Sequence, residues 1–251
     1  MIKWFIKRYD VDMSEALVQD IAEFNNFNDF FTRELRPDAR PLDSEPNSIL
    51  CPADGAVSQL GEIKGTAILQ AKGHTFTLQA LLGQNDQLAD SFNDGQFITV
   101  YLSPRDYHRV HMPLTGKLVA SKYIPGRLFS VNQATTERVD SLFARNERLV
   151  CQFDTDIGTV VVVLVGAMIV AGIETVFGGR MGVSPRARTI QSHSYQDHVP
   201  SIMLEKGAEL GRFYLGSTAI VLFPHGAVQF SSNLRANSQV RMGQKIALIS
   251  S

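Results

Sequence analysis

The longest apolar stretch of the chain, VVVVLVGAMIVAGI from Val160 to Ile173, decides its class of fold. It is 14 residues long, rich in β-branched side chains and interrupted by glycine. A membrane-spanning helix needs about 20 consecutive apolar residues, and β-branched residues favour strands. We therefore predict that this stretch forms buried β-strands.

Short apolar runs of the same kind follow one another from Ile49 onward, separated by Gly, Pro, Asn and Asp. Clear examples are GQFITVYLS, GKLVASKYI, RLVCQFDTDIG and STAIVLFP. This spacing predicts an α+β protein with a mainly β core and an α-helical N-terminal arm. The sequence lacks the glycine-rich motifs GxGxxG and GxxxxGKS/T, which disfavours nucleotide-binding α/β folds.

The N-terminal sequence MIKWFIKRYD predicts a short amphipathic helix. Apolar side chains at helical spacing alternate with basic ones; they are Ile2, Phe5, Ile6 and Tyr9, with Lys3, Lys7 and Arg8 among them. Such a helix could lie on an anionic membrane surface or pack on its own domain. The stretch lacks the long apolar core and the cleavage site of a secretory signal.

A second helical stripe follows, formed by Leu17, Ile21 and Phe24, with Ser14 as a suitable N-cap. Pro37 and Pro41 then break regular structure, so the chain is expected to cross the surface there. We predict a helical, membrane-proximal arm over residues 1–45 and a β-rich catalytic domain over residues 46–251.

The composition is that of an ordinary globular protein, with 251 residues, 44% hydrophobic and 20% charged. With a net charge of −1, the chain lacks the overall positive charge that is typical of nucleic-acid-binding proteins, so no nucleic-acid partner is expected. Cys51 and Cys151 stand far apart without a CxxC pair, which indicates neither a zinc site nor a disulfide framework. We expect both thiols to be reduced, in a cytosol-facing protein.

Three segments carry residues that could do chemistry, and the first is CPADGAVS, with Asp54 before a glycine. An Asp-Gly pair after proline forms a turn by default. The functional alternative is a carboxylate that is fixed at a tight turn and orients a histidine.

The second segment, YLSPRDYHRVHMP, contains His108 and His111 just after a predicted strand. A helical HxxH pair can bind metal, but no HExxH context or partner cysteine supports this, so no metal is expected. If the segment is extended, only one of the two imidazoles enters a given pocket. Either could act as a general base near neutral pH. The other histidines are expected to be surface or structural residues: His74, His193, His198 and His225.

The third segment, FYLGSTAIVLFPHG, places Ser217 after Gly216 at the start of an apolar run. A permissive turn is the simple interpretation. The alternative is that the Gly216–Ser217 bond is itself a reactant, since a serine becomes nucleophilic when an Asp/His pair removes its proton. GxSxG is absent, which counts against a serine hydrolase.

These segments, in this order, closely resemble the bacterial phosphatidylserine decarboxylases. The resemblance rests on CPADGAVSQLG, SPRDYHRVHMP and LGST and extends through FNDFFTRELRPDARP, PGRLFSVN and GAELGRFYLGSTAIVLF, covering nearly the whole chain. It implies a proenzyme that cuts itself between Gly216 and Ser217 into a β chain, 1–216, and an α chain, 217–251. Ser217 would become a covalent pyruvoyl group, so that neither pyridoxal phosphate nor metal is needed.

The same resemblance assigns roles to the candidate residues. Asp54, His111 and Ser217 would form the charge relay for self-cleavage, and His108 would handle protons during decarboxylation. The mature enzyme would convert phosphatidylserine to phosphatidylethanolamine and CO2 through a Schiff base on the pyruvoyl group.

The partners implied are phosphatidylserine and an anionic membrane surface, with the protein peripheral on the cytoplasmic face of the cell membrane. A homodimer is implied as well, with the two cleaved chains remaining associated. Two alternatives remain open. One is a pyruvoyl-dependent decarboxylase of a soluble amino acid, and the other is a non-catalytic carrier-like β module, suggested by the C-terminal β pattern.

Overall fold

The computed structural model describes residues 1–167, 172–181, 189–214 and 217–250. In these ranges the helices are short, and one 3-10 turn covers Ile21–Glu23. The α-helices are α1 Ile2–Tyr9, α2 Phe27–Phe31, α3 Leu78–Leu81, α4 Asp86–Asp90, α5 Gln133–Thr136 and α6 Leu142–Arg145. The strands are β1 Ser48–Leu50, β2 Gly55–Glu62, β3 Ala67–Ala71, β4 His74–Thr77, β5 Gln96–Leu102, β6 Arg109–His111, β7 Gly116–Ile124, β8 Arg148–Thr155, β9 Gly158–Gly166, β10 Ile173–Thr175, β11 Gly179–Met181, β12 Gln191–Ser194, β13 Met203–Leu204, β14 Glu209–Phe213, β15 Ser217–Phe223, β16 Val228–Phe230, β17 Gln239–Val240 and β18 Lys245–Ile249.

A large antiparallel sheet organises the molecule, with strand order β12-β7-β8-β9-β15-β5-β2-β17 and β13 paired with β7. Two smaller sheets accompany it, β11-β10-β14-β6 and β1-β18-β16, together with the β3-β4 hairpin. The predicted mainly β core with a helical N-terminal arm is therefore confirmed. The four apolar runs quoted above form β5, β7, β8 and β15.

The β9 part of this stretch, Val160–Val165, is apolar without a break because the large sheet is covered on both faces. Alternate residues of β9 belong to two separate clusters, with Val160, Val162 and Leu164 in one and Val161, Val163 and Val165 in the other. The first cluster includes residues of the two smaller sheets, and the second includes α3, α4, α6 and the β3-β4 hairpin. Residues 168–171 of the stretch lie outside the described residues.

Helix α1 is confirmed where the apolar spacing predicts it. Phe5 is 8% exposed, and its ring centroid lies 5.0 Å from that of Phe27 and 5.9 Å from that of Phe31. This aromatic cluster is separate from the two clusters of the large sheet. Trp4, the preceding residue, is 63% exposed.

The second predicted helix, starting at Ser14, is wrong. Ser14 donates from both its backbone N and its Oγ to Oδ1 of Asp12, and Ala16 forms an antiparallel bridge with Leu35. These contacts hold the backbone out of a helix. Helical structure returns only in the 3-10 turn Ile21–Glu23 and in α2.

The segment around the two prolines does cross the surface, since residues 34, 36–38 and 41–42 are exposed. Arg40 is the exception, because its side chain is buried. The division into an arm over residues 1–45 and a domain over residues 46–251 stays a prediction.

Both cysteines are free and buried. Across the described ranges, His, Cys, Asp and Glu form no group of three or more that could hold a metal ion. In those same ranges, no helix has the length and apolar character needed to cross a membrane.

Candidate active site

Ser217 is the first residue of β15, at the centre of the large sheet. It pairs with Leu102 of β5 on one side and with Gly166 of β9 on the other. The side chain is fully buried, and its Oγ has no hydrogen-bond partner among the described residues. A buried hydroxyl without a partner is costly, and such groups are concentrated at functional sites. Gly216 lies outside the described residues.

The loop after β5 brings His108 to the same region. The loop starts at Ser103, next to the end of β5 that pairs with Ser217, and it ends at β6. At its far end, the backbone N of Phe213 donates to the carbonyl of His108 at 3.0 Å. The start of this loop therefore lies next to Ser217, and its end lies next to Phe213.

His108 is fully buried and has one free ring nitrogen. Its Nδ1 lies 2.8 Å from the carbonyl of Asp106, so Nδ1 carries the proton, while Nε2 has no partner in the described part of the chain. The ring packs on Phe31 at a centroid distance of 4.0 Å. Burial lowers the pKa of His108 to about 3, so the imidazole is neutral at pH 7 and Nε2 can accept a hydrogen bond.

His111 is held differently. Its Nδ1 donates to the carbonyl of Gly207 at 2.9 Å, and its Nε2 lies 3.1 Å from the hydroxyl of Tyr107. Burial lowers its pKa, and the bond to Gly207 partly opposes that shift. The bond to Gly207 therefore fixes the tautomer of His111, and its neighbours differ from those of His108.

Asp54 sits at a turn directly before β2. A Cβ on the next residue, Gly55, would lie 2.1 Å from the carbonyl O of Tyr101, so only glycine allows β2 to approach β5 here. The backbone N of His111 donates to the carbonyl of Pro52 at 2.8 Å, which brings the Asp54 segment alongside β6.

The Asp54 carboxylate is bound by Arg40. Nε of Arg40 donates to Oδ1 at 2.9 Å and to Oδ2 at 3.0 Å, and the backbone N of Met242 donates to Oδ1 at 2.8 Å. Arg40 also reaches Glu15 at 2.7 Å. No hydrogen bond joins Asp54 to His111, although the charge of Asp54 partly opposes the lowering of the His111 pKa by burial. The role of Arg40 could not be predicted from the sequence, because its partners are distant in the chain.

The structure thus brings Asp54 beside His111, and Ser217 beside the loop of His108, without joining all four by hydrogen bonds. The remaining histidines are surface or structural residues, as predicted. His193, His198 and His225 are exposed, and His74 forms an ion pair with Asp140.

Together the fold and the site define a β-rich enzyme in which a buried serine begins a central strand of the large sheet, next to the loop that carries His108. The phosphatidylserine decarboxylase family matches residues 27–248. A phosphatidylserine decarboxylase proenzyme of Pseudomonas putida is 60% identical over 97% of this chain and 85% of its own length. Those of Pseudomonas aeruginosa and Pseudomonas entomophila are both 59% identical, over 99% and 98% of this chain and 86% and 85% of their own lengths. The chain belongs to the phosphatidylserine decarboxylase family.

Proposed function

We propose that the chain is a self-processing phosphatidylserine decarboxylase, which releases CO2 from phosphatidylserine and leaves phosphatidylethanolamine. One observation carries the proposal beyond family membership. Ser217, at the predicted cleavage point, is completely buried and its Oγ has no partner among the described residues. Thr218 Oγ1 beside it is buried without a partner as well, but only Ser217 follows the glycine of the predicted cleavage site, and conversion to the prosthetic group would account for its burial.

Self-cleavage requires a base and a susceptible carbonyl. Ser217 Oγ gives its proton to His111 and bonds to the carbonyl carbon of Gly216, and the Gly216–Ser217 C–N bond breaks as the nitrogen takes up a proton. Loss of the Ser217 Cα proton then expels the Gly216 carboxylate. One water hydrolyses the remaining dehydroalanine, releasing ammonia and leaving the pyruvoyl group. Asp54 acts on His111 from the neighbouring segment, held by Arg40 and Met242.

The residues around Ser217 suit a pyruvoyl group. When present, the group supplies a ketone that condenses with the substrate amine and accepts the electrons released by decarboxylation. Burial by β5 and β9 keeps bulk water away from position 217. His108 has an Nε2 without a partner among the described residues, and we assign it the handling of a proton there, as the family resemblance implies.

A membrane surface is the partner that a lipid substrate requires, and α1 is suited to meet it. Trp4 is exposed, and Lys3, Lys7 and Arg8 are exposed beside it. A basic helix with an exposed tryptophan suits an anionic interface. We therefore propose a peripheral protein on the cytoplasmic face of the cell membrane. A homodimer is proposed from the resemblance alone, and light scattering after size exclusion measures it.

Intact mass spectrometry tests the proposed function. The wild-type protein should give chains 1–216 and 217–251, with the smaller one lacking a free N-terminal amine. Ser217→Ala should give one uncut, inactive chain, because the alanine has no hydroxyl to attack the carbonyl. Ser232→Ala, at an exposed serine of the same fragment, is the control and should mature normally. A single intact chain with full decarboxylase activity would refute the proposal.

The identity of the base is tested in the same way. His111→Ala should remain uncut or mature far more slowly, since a positioned base contributes about 10²–10⁴ in rate. Maturation of this variant at the wild-type rate would show that another group removes the proton.

A further inference from the structure

Arg33 is a buried cation whose hydrogen-bonding capacity is mostly unused. It lines a cavity of about 460 Å³ between the N-terminal arm and the β-rich domain. The residue is 5% exposed, and its Nε has no partner among the residues described. Nη2 makes one long bond, 3.4 Å to the carbonyl of Arg105, and the guanidinium carbon lies 5.4 Å from the centroid of the Phe30 ring.

No acidic group pairs with this cation. Among the described residues, no carboxylate oxygen lies within 4.0 Å of the Arg33 nitrogens. The internal segments outside the described residues, 168–171, 182–188 and 215–216, contain no aspartate or glutamate. Burial lowers the pKa of Arg33, but arginine stays charged in proteins. The charges of Asp54, Asp106 and Glu15 partly oppose this lowering, but none of these carboxylates forms a hydrogen bond or a close ion pair with Arg33. A buried charge without a directly bound counter-ion is unfavourable, so Arg33 can take up a further anion.

The other cations that line the cavity already have partners. Arg40 binds Asp54 and Glu15, and Arg241 binds Glu15 at 3.2 Å. Arg105 lies 3.8 Å from its neighbour Asp106. The remaining acids of the cavity, Asp10 and Asp12, are exposed to solvent. Arg33 is therefore the one cation of this cavity, within the described ranges, that can take up a new anion without breaking an ion pair.

Arg33 also lies close to the proposed reaction centre. Its bond to Arg105 ties it to the loop that ends at His108, and its charge lowers the pKa of His108. Phe30, under the Arg33 guanidinium, and Phe31, under the His108 ring, are consecutive residues of α2. An anion bound at Arg33 would therefore lie within a short distance of a group reacting beside His108.

We propose that Arg33 binds the phosphodiester of the phospholipid headgroup and so selects a phospholipid over free serine. This inference rests on the proposed function. The substrate offers two anions, a phosphodiester and a carboxylate, and arginine pairs with either through two parallel hydrogen bonds. The carboxylate loses its charge as CO2 leaves, so an arginine bound to it would stabilise the substrate more than the transition state. The phosphodiester keeps its charge throughout.

Kinetics of variants that have matured test the proposal. The substrate is phosphatidylserine in neutral detergent micelles, and the inhibitor is glycerophosphoethanolamine, which carries the phosphodiester but no carboxylate. Arg33→Gln should raise KM and the inhibition constant together, by about 10- to 100-fold, the loss expected for a hydrogen-bonded ion pair. It should change kcat little, since the contact is the same in substrate and transition state. Arg36→Gln, an exposed arginine near Asp38, is the matched control and should leave both constants unchanged.

Two results would overturn the proposal. A raised KM with an unchanged inhibition constant would assign the carboxylate to Arg33, and two unchanged constants would mean that Arg33 binds neither anion. If mass spectrometry finds that Arg33→Gln does not mature, the same two constants are measured for Arg33→Lys. This variant keeps the charge and loses the paired hydrogen bonds. Both constants should then rise by a smaller factor, and unchanged constants would again overturn the proposal. The wild-type protein must first mature and decarboxylate in the same assay, so a failure of the proposed function is seen separately.

Discussion

At the scale of single residues, the site depends on buried charges whose partners come from distant parts of the chain. Asp54 and Arg40 form a buried ion pair, which the partly exposed Glu15 extends and to which Met242 of the predicted α chain adds a backbone N–H. The motif around Asp54 could be picked out from the sequence, because aspartate before glycine is a recognisable turn. Its arginine partner could not, because nothing local distinguishes Arg40 from the exposed Arg36.

Arg40→Met should destabilise the protein by about 3–5 kcal/mol, because it leaves the Asp54 carboxylate buried without its counter-ion. Urea unfolding of the uncut Ser217→Ala protein measures this loss on a single chain. Arg36→Met, which removes a surface ion pair, should cost less than about 1 kcal/mol. Equal losses in the two variants would mean that the Arg40–Asp54 pair adds nothing beyond a surface contact.

At the scale of elements, the structure shows which residues of α1 pack on the protein and which stay exposed. The apolar spacing predicts an amphipathic helix, and both membrane binding and packing on the protein were compatible with it. Phe5 packs in the aromatic cluster of the arm, whereas Trp4 faces solvent. The helix therefore packs on its own domain through Phe5, and membrane binding through the exposed Trp4 stays a proposal. The second predicted helix does not form, because Ser14 hydrogen-bonds the Asp12 side chain and Ala16 pairs with Leu35 in an antiparallel bridge.

Trp4→Ser should weaken binding to vesicles containing phosphatidylserine by about tenfold, because the exposed indole can no longer enter the interface. Flotation with liposomes measures the bound fraction. Leu69→Ser, at an exposed apolar residue of the β3-β4 hairpin, is the control and should bind as the wild type does. Equal binding of all three proteins would exclude α1 as the membrane contact.

At the scale of the whole molecule, the predicted cleavage point lies next to the centre of the large sheet. β15 is hydrogen-bonded to β5 and β9 along its length, and all seven of its residues are buried. The same fragment supplies β18 to the sheet of β1 and β17 to the edge next to β2. Cutting the chain before Ser217 therefore removes one covalent bond and leaves these contacts in place.

The two chains should consequently remain together after maturation and separate only when the protein unfolds. Size-exclusion chromatography of the mature protein should give one peak containing both fragments, and in urea they should part over the same range in which the sheet signal in circular dichroism is lost. Release of the 217–251 fragment without loss of the sheet would contradict this prediction.

The sequence by itself determined the β-rich class, the positions of β5, β7, β9 and β15, and the candidate residues Asp54, His108, His111 and Ser217. These features depend on residues that are close together in the sequence: runs of β-branched residues that must be buried, and short motifs around each reactive group. Only the tertiary structure decided that Arg40 holds Asp54, that Phe31 covers His108 and that Arg33 is buried without a carboxylate. Such contacts join residues far apart in the chain. Their energies depend on tertiary packing, which cannot be predicted from a short stretch of sequence.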